Sequence, residues 1–423
     1  MTETLAIHGG PPVIAAPLAP FKSIGEDEVN AAADVVRGEV LSAYIGAPGE
    51  GFMGGPHVRA FEQKTAAYFG VRHALAVNSW TSGLIAAVGA MGIEPGDEII
   101  TTPWTMSATA MAILHWNAIP VFADIDPVTF NIDPASVERL VTDRTKAILL
   151  VDIFGQAANV GALREIADRH GLVLLGDTAQ APGATHDNRF TGTQVDIGGF
   201  SLNYHKHIHC GEGGILVTDD DRYARRLALI RNHAESVVRP EQPAELANMI
   251  GYNFRMGEIE AAIASVQLDK LNERVRDRQR VAAELDAGLE GLAGLTTPRV
   301  EPNGTHVYYV YGMTLNIERL GVERSAIIAA LKAEGVPGLM AGYTNIHRLP
   351  IFEQQIAYGT GHFPWSLRPE RTFAYGAGTC PVAEALHDRS FLGINLCMFQ
   401  FPPEDVAQVV AAFRKVWGRL EKL

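Results

Sequence analysis

The sequence predicts an α/β protein with a mostly parallel sheet in a large first domain and a smaller α+β domain behind it. Three observations predict this class. Short apolar strands at 74–77, 98–101, 120–122, 147–151 and 173–175 alternate with helical patterns at 82–91, 107–116, 134–140 and 160–170. That rhythm is the signature of a parallel sheet covered by helices on both faces. A long helical pattern at 257–289, rich in Ala, Leu, Glu and Arg, then bridges to a second unit. Beyond it a strand pattern at 307–315, a helix at 324–334 and a last helix at 403–420 read as the smaller domain. We divide the chain at 1–270, which includes an N-terminal arm and the Gly/Pro-rich tract 46–56, and 271–423. Two more strands, 195–201 and 214–218, flank a histidine- and glycine-rich segment. The dense Gly, Pro, His and aromatic content of 342–380 predicts long functional loops.

Composition sets the outer limits. A chain of 423 residues, 47% hydrophobic and 20% charged, buries a sizeable core. Its 35 Lys and Arg against 48 Asp and Glu give a net charge of −13, which argues against broad contact with nucleic acid or an anionic membrane. Three cysteines, Cys210, Cys380 and Cys397, without metal-ligand spacing fit a reduced compartment. No secretory pattern and no uninterrupted apolar stretch of about 20 residues is visible, so the expected setting is the cytoplasm.

Three segments bear chemistry. In the first, an apolar strand runs into Asp177-Thr178-Ala179-Gln180, which sets Asp177 at the carboxyl end of a parallel strand, where such sheets bind ligands. An aspartate there also serves as an ordinary turn cap. In the second, Lys206 stands among His205, His207 and His209 just before Gly211-Glu212-Gly213-Gly214. Three alternating histidines suggest a metal site on a strand face, but no acidic or thiol ligand lies at a matching spacing. Polar donors around one lysine fit an anionic cofactor better, although a surface lysine reads the same way. In the third, Val77-Asn78-Ser79-Trp80-Thr81-Ser82 passes from strand to helix. Free N–H groups and the positive dipole end make that helix start either a phosphate site or a plain Ser/Thr cap.

Together these segments resemble the DegT/DnrJ/EryC1/StrS group of sugar aminotransferases, which depend on pyridoxal 5'-phosphate and share the aspartate-aminotransferase-like fold (fold type I). The resemblance runs from about residue 20 to the end. It rests on Asp177 to Gln180, on Phe200-Ser201 through Lys206 to Gly214, and on Gly251 to Glu258, with Phe154-Gly155-Gln156 and Arg231-Asn232-His233 besides. It implies that Lys206 forms the internal Schiff base and moves the protons, and that Asp177 pairs with the pyridine nitrogen. It further implies that Gln180 bonds the ring hydroxyl, that Ala179 lies beneath the ring, and that Thr81, Ser82 and Ser201, with Ser79 at the same helix start, hold the phosphate. Asn253 matches the asparagine that reaches the phosphate of a neighbouring subunit, which implies a homodimer. Two positions depart from the group. Trp80 stands where the family has Gly before its phosphate-binding Thr. Met106, with Trp104 two residues earlier, stands where the family stacks an aromatic residue on the ring.

The resemblance also implies a keto sugar, nucleotide-linked or free, or a cyclitol ketone as substrate, with glutamate or glutamine as amino donor. Tyr44, Tyr343, His347, Trp365 and Arg368 are the residues we expect to meet it, since they supply donors and stacking surface. A few relatives are dehydratases, some of which replace the lysine by histidine; Lys206 favours transamination. A nicotinamide-dependent sugar oxidoreductase would suit the architecture, but no Gly-x-Gly-x-x-Gly follows the first strand. A cofactor-binding relative without activity is a third reading.

Overall fold

The computed structural model describes residues 4–242 and 245–423. Four parallel strands lie in the order Ile119–Phe122, Glu98–Thr101, Thr145–Val151 and Val173–Asp177. A parallel bridge from Leu175 to Ile197 carries this section into a second one, ordered Gly198–Ser201, Gly214–Thr218 and His73–Val77. Gly176 and Thr178 donate their N–H groups to the Ile197 and Gly199 carbonyls at 3.0 and 3.2 Å, which closes the seam. Only Gly214–Thr218 runs against its neighbours. Strands buried on both faces are apolar throughout, and the Ile99, Ile100, Ala147–Leu150 and Leu174–Leu175 side chains are all buried.

The helices follow their local signals closely. Pro134–Leu140 starts on an Asp133 cap and Val160–His170 on an Asn159 cap, with Gly171 in the left-handed conformation behind it. Trp80–Ala90 begins two residues before the sequence pattern indicates, because Ser79 is the cap: its Oγ accepts from Ser82 N–H at 3.1 Å. The first seventy residues add two helices, Glu26–Arg37 and Pro56–Phe69. Between them the glycine-rich tract folds inward. Gly55 lies against Glu258, so close that an added Cβ would sit 2.6 Å from its carboxyl carbon.

Glu258–Leu289 is one helix of 32 residues, about 48 Å long at 1.5 Å per residue. Its first half packs Ala261, Leu268 and Leu271 against the strand Gly198–Ser201 region, and its second half packs Val281, Leu285 and Leu289 into a separate core. That smaller core surrounds an antiparallel sheet of Leu295–Thr296, Val310–Leu315, Phe391–Asn395 and Leu339–Met340, with helices Arg324–Ala333 and Pro403–Trp417. Leu5, Ile14 and Leu18 from the N-terminal arm pack there too, and Glu334 accepts from the Ala6 and Val13 N–H groups. Among the described residues no helix is long and apolar enough to cross a membrane.

Candidate active site

The last residue of strand Val173–Asp177 and the loop after Gly198–Ser201 meet at the carboxyl edge of the sheet. Asp177 is 3% exposed, and three donors reach it. Trp80 Nε1–H donates to Oδ1 at 2.7 Å, Thr109 Oγ1–H to Oδ2 at 2.7 Å, and Ala179 N–H to Oδ1 at 3.3 Å. Burial pushes the carboxyl upward; the bonds from Thr109 and Trp80 and the charge of Lys206 oppose it.

Lys206 is 7% exposed, its backbone N–H turned onto the Asn203 carbonyl at 3.0 Å. Nζ lies 4.4 Å from the centre of the Tyr309 ring, within cation–π range. Burial lowers its ammonium to about 8, against the pull of Asp177 in the other direction. A lysine at that value is neutral in roughly a tenth of molecules at pH 7, where an ordinary one is almost wholly charged.

Both groups line a cavity of about 220 Å³. Ser79, Thr81 and Ser201 line it as well, beside the start of helix Trp80–Ala90, whose first N–H groups have no acceptor within the helix. Ser82 supports this corner from behind, its hydroxyl 2.9 Å from that of Ser79. On the opposite wall stand Ala179, Gln180 and Tyr343. Gln180 is held at both ends: Oε1 accepts from Phe154 N–H at 2.8 Å and Nε2 donates to the Tyr343 hydroxyl at 3.0 Å. Phe154 makes that bond from a left-handed backbone, φ 59°, a conformation non-glycine residues rarely adopt.

Of the two ring-stacking candidates only Met106 reaches the cavity, and it is 61% exposed. Trp104 is wholly buried behind the wall, edge-on to Phe130, Phe154 and Phe391, with Nε1–H donated to the Tyr343 carbonyl at 2.7 Å. An indole that apolar joins the core more cheaply than a water-facing wall.

Tyr343 is the one substrate candidate on the cavity wall; the others have partners within the chain and lie away from it. His347 is buried with Nε2 2.9 Å from Glu384. Trp365 donates to the Tyr375 hydroxyl at 2.9 Å, and Arg368 pairs with Glu98 and Glu370. Tyr44 packs its ring against Gly54, between Arg231 and Arg255. Asn253 is exposed, outside its own chain's cavity, and accepts from Arg255 Nε at 2.7 Å. The histidines beside Lys206 diverge: His207 bonds the Val307 carbonyl at 2.7 Å and His209 the Ser23 hydroxyl at 2.6 Å. Among the described residues no three His, Cys, Asp or Glu side chains gather as metal ligands.

Trp80, Thr109, Tyr309 and His205 complete the surroundings, and none was singled out from sequence as a partner of the acid or the amine. Thr109 and Tyr309 carried no local signal. The indole of Trp80 had one, in the glycines at 83 and 199 that make room for it.

A buried amine and a buried acid share one cavity beside a helix N-terminus, on a parallel sheet closed by one antiparallel strand, and the family this chain matches makes it a pyridoxal-phosphate-dependent aminotransferase of fold type I. The DegT/DnrJ/EryC1/StrS aminotransferase family model matches residues 45–373, and the chain belongs to that family. It is 34% identical to the L-glutamine:2-deoxy-scyllo-inosose aminotransferase of Streptomyces paromomycinus over 98% of both chains. It is 38% identical to the GDP-perosamine synthase of Caulobacter vibrioides over 67% of this chain and 75% of the other. Its structure superposes on that of DesI, solved with its TDP-sugar product, with a TM-score of 0.79 and 29% identity, covering 98% of this chain and 96% of DesI. The residues present fit the family's cofactor. Lys206 and Asp177 are apart from bulk water, the open helix start and the Ser79, Thr81 and Ser201 hydroxyls suit a phosphate, and the Gln180 amide faces the same space.

Proposed function

We propose that this chain works as a homodimer that converts the ketone of a polyhydroxylated ring, a cyclitol or a keto sugar, to an amine, with glutamine or glutamate as donor. The buried Lys206 and Asp177 on one cavity carry the reading. The similarity to the scyllo-inosose aminotransferase along both whole chains supports a cyclitol ketone as the first substrate to test. The likeness to the perosamine synthase brings in nucleotide-linked keto sugars.

When bound, the cofactor supplies an electron sink that acidifies the carbon bearing the transferred nitrogen. The chain does the rest. Lys206 Nζ, partly neutral at neutral pH, accepts that proton and returns it. The Asp177 carboxylate holds the ring nitrogen in its protonated form, and Gln180, braced by Phe154 and Tyr343, fixes the ring hydroxyl. Ser79, Thr81 and Ser201 would hold the phosphate, with Ser82 acting through its contact with Ser79, Ala179 and Met106 would flank the ring, and Tyr343 would meet the substrate.

Asn253, exposed and outside its own cavity, reaches the phosphate of the partner subunit in this reading. The exposed apolar side chains Val40, Leu41, Ile45, Tyr204 and Ile250 are consistent with such an interface. Residues 1–270 make the cofactor-binding domain and residues 271–423 the smaller one, except that the arm carrying Leu5, Ile14 and Leu18 packs on the smaller core, and the protein works in the cytoplasm.

The direct test incubates the enzyme with candidate ketones and either donor. The expected result is one 2-oxo acid released per amine formed; loss of ring oxygen without a 2-oxo acid would overturn the reading. Mixing Asn253→Ala with Lys206→Ala subunits tests the interface. Random hybrids restore about a quarter of wild-type activity when each site draws on both chains, and no recovery rejects the shared site.

A further inference from the structure

Trp80 heads the helix at the phosphate corner and lines the cavity, with its indole packed against Gly83 and Gly199. The indole is 7% exposed and lies in a slot whose walls are glycines. A Cβ on Gly199 would come within 2.5 Å of the six-membered ring, and one on Gly83 within 2.8 Å. A Cβ on Gly214 would sit 2.9 Å from the Trp80 backbone. None of the three has a positive φ; at Gly83 and Gly199 the indole takes the missing side-chain volume, and the Ile215 carbonyl would also lie 2.2 Å from a Cβ on Gly199. The slot delivers Nε1–H to Asp177 Oδ1 at 2.7 Å.

A carboxylate offers about four lone-pair directions. Trp80 and Ala179 use the two on Oδ1, and Thr109 uses one on Oδ2. One acceptor direction is left, on a side chain that lines the cavity.

We propose that Trp80 is a positioning residue for Asp177: with Thr109 it locks the carboxylate plane and leaves a single acceptor for the cofactor's ring nitrogen. The inference rests on the cofactor assignment above. The indole N–H also favours the ionised carboxylate, which burial disfavours. Position 80 therefore acts on the electron sink through Asp177.

The sharpest test replaces the indole of Trp80 by its benzothiophene isostere, which keeps the shape and deletes the N–H; Trp80→Phe is the genetic counterpart. Circular dichroism and melting temperature first show that each variant folds. In the holoenzyme, the pH midpoint of the bound cofactor's visible absorption moves by about one unit, and cofactor affinity falls about 10-fold, the scale of one hydrogen bond to a charged group. The maximal rate kcat falls about 10- to 100-fold while donor KM stays within about 3-fold. Infrared titration of the full-length chain without added cofactor, with Asp177→Asn to assign the band, places the Asp177 carboxyl at higher pH in the isostere than in the native protein. An isostere that matches the native protein in absorption midpoint, affinity and infrared titration overturns the inference and leaves the cofactor assignment standing. A native protein that binds no pyridoxal phosphate overturns both.

Discussion

Removing the Lys206 ammonium should make the cofactor-free protein more stable. Lys206 is lowered from 10.5 to about 8, so the folded state carries its charge at a net cost of about 3 kcal/mol at pH 7, from 1.36 kcal/mol per unit and the protonation of both states. The attraction to Asp177 is already inside that figure. Lys206→Met, of similar length and without charge, removes the cost. The sign with pH follows from proton counting. Between about 8 and 10.5 the unfolded chain holds a proton that the folded chain has released, so wild-type stability rises with pH there. The advantage of the methionine variant therefore shrinks to about 2 kcal/mol at pH 9 and vanishes above the unfolded value. Urea unfolding of cofactor-free wild-type and variant protein at pH 7, 8 and 9 reads this directly, taking the transition common to fluorescence and circular dichroism. A variant that is less stable than wild type, or whose advantage does not change with pH, would refute the reasoning. An amine kept partly neutral for chemistry is a standing cost to the fold, and function is what retains it.

Other substitutions separate the wall from the core behind it. Trp104→Phe loses a buried hydrogen bond and ring volume, lowering stability by about 1–3 kcal/mol in chemical denaturation while the cofactor's absorption stays in place. Met106→Ala, at an exposed cavity position, should do the reverse, weakening cofactor binding with little change in melting temperature. Tyr343→Phe frees one end of Gln180 and should lower kcat/KM about 3- to 10-fold, measured with the best ketone found. Glu62→Gln strands the buried Arg231 guanidinium, which Glu62 and the Ala76 carbonyl hold, and costs about 3–5 kcal/mol by the same unfolding assay.

The sheet was legible because parallel strands buried on both faces must be apolar runs, and Pro134–Leu140 and Val160–His170 because their caps are local. Asp177 and Lys206 could be read from motifs that sit next to them in sequence. Partnerships across the chain could not. His347, Trp365 and Arg368 looked available for a ligand, but Glu384, Tyr375 and Glu98 occupy them, the last 270 residues away. Trp104 and Met106 were inseparable as candidates by sequence, since burial decides between them and burial is a property of the whole fold. The same holds for Trp80, whose departure from the family pattern is visible at once while its acceptor is 97 residues distant.

The strand order has a consequence for how the protein is made. Among the described residues His73–Val77 has its ladder with Gly214–Thr218 and a single bridge from Val77 to Arg255, so a ribosome must add about 145 residues before His73 meets Thr218. At about 5–20 residues per second that wait is roughly 7–30 s. Over that interval the first strand has no ladder partner, and the helix carrying Trp80 lacks Gly199 beneath its indole and Gly214 against the backbone of its first residue. The phosphate corner, written early in the chain, is therefore assembled late. Holding that apolar strand and tryptophan away from other chains during synthesis is the period of greatest aggregation risk, and release of the nascent chain before residue 218 should yield insoluble product.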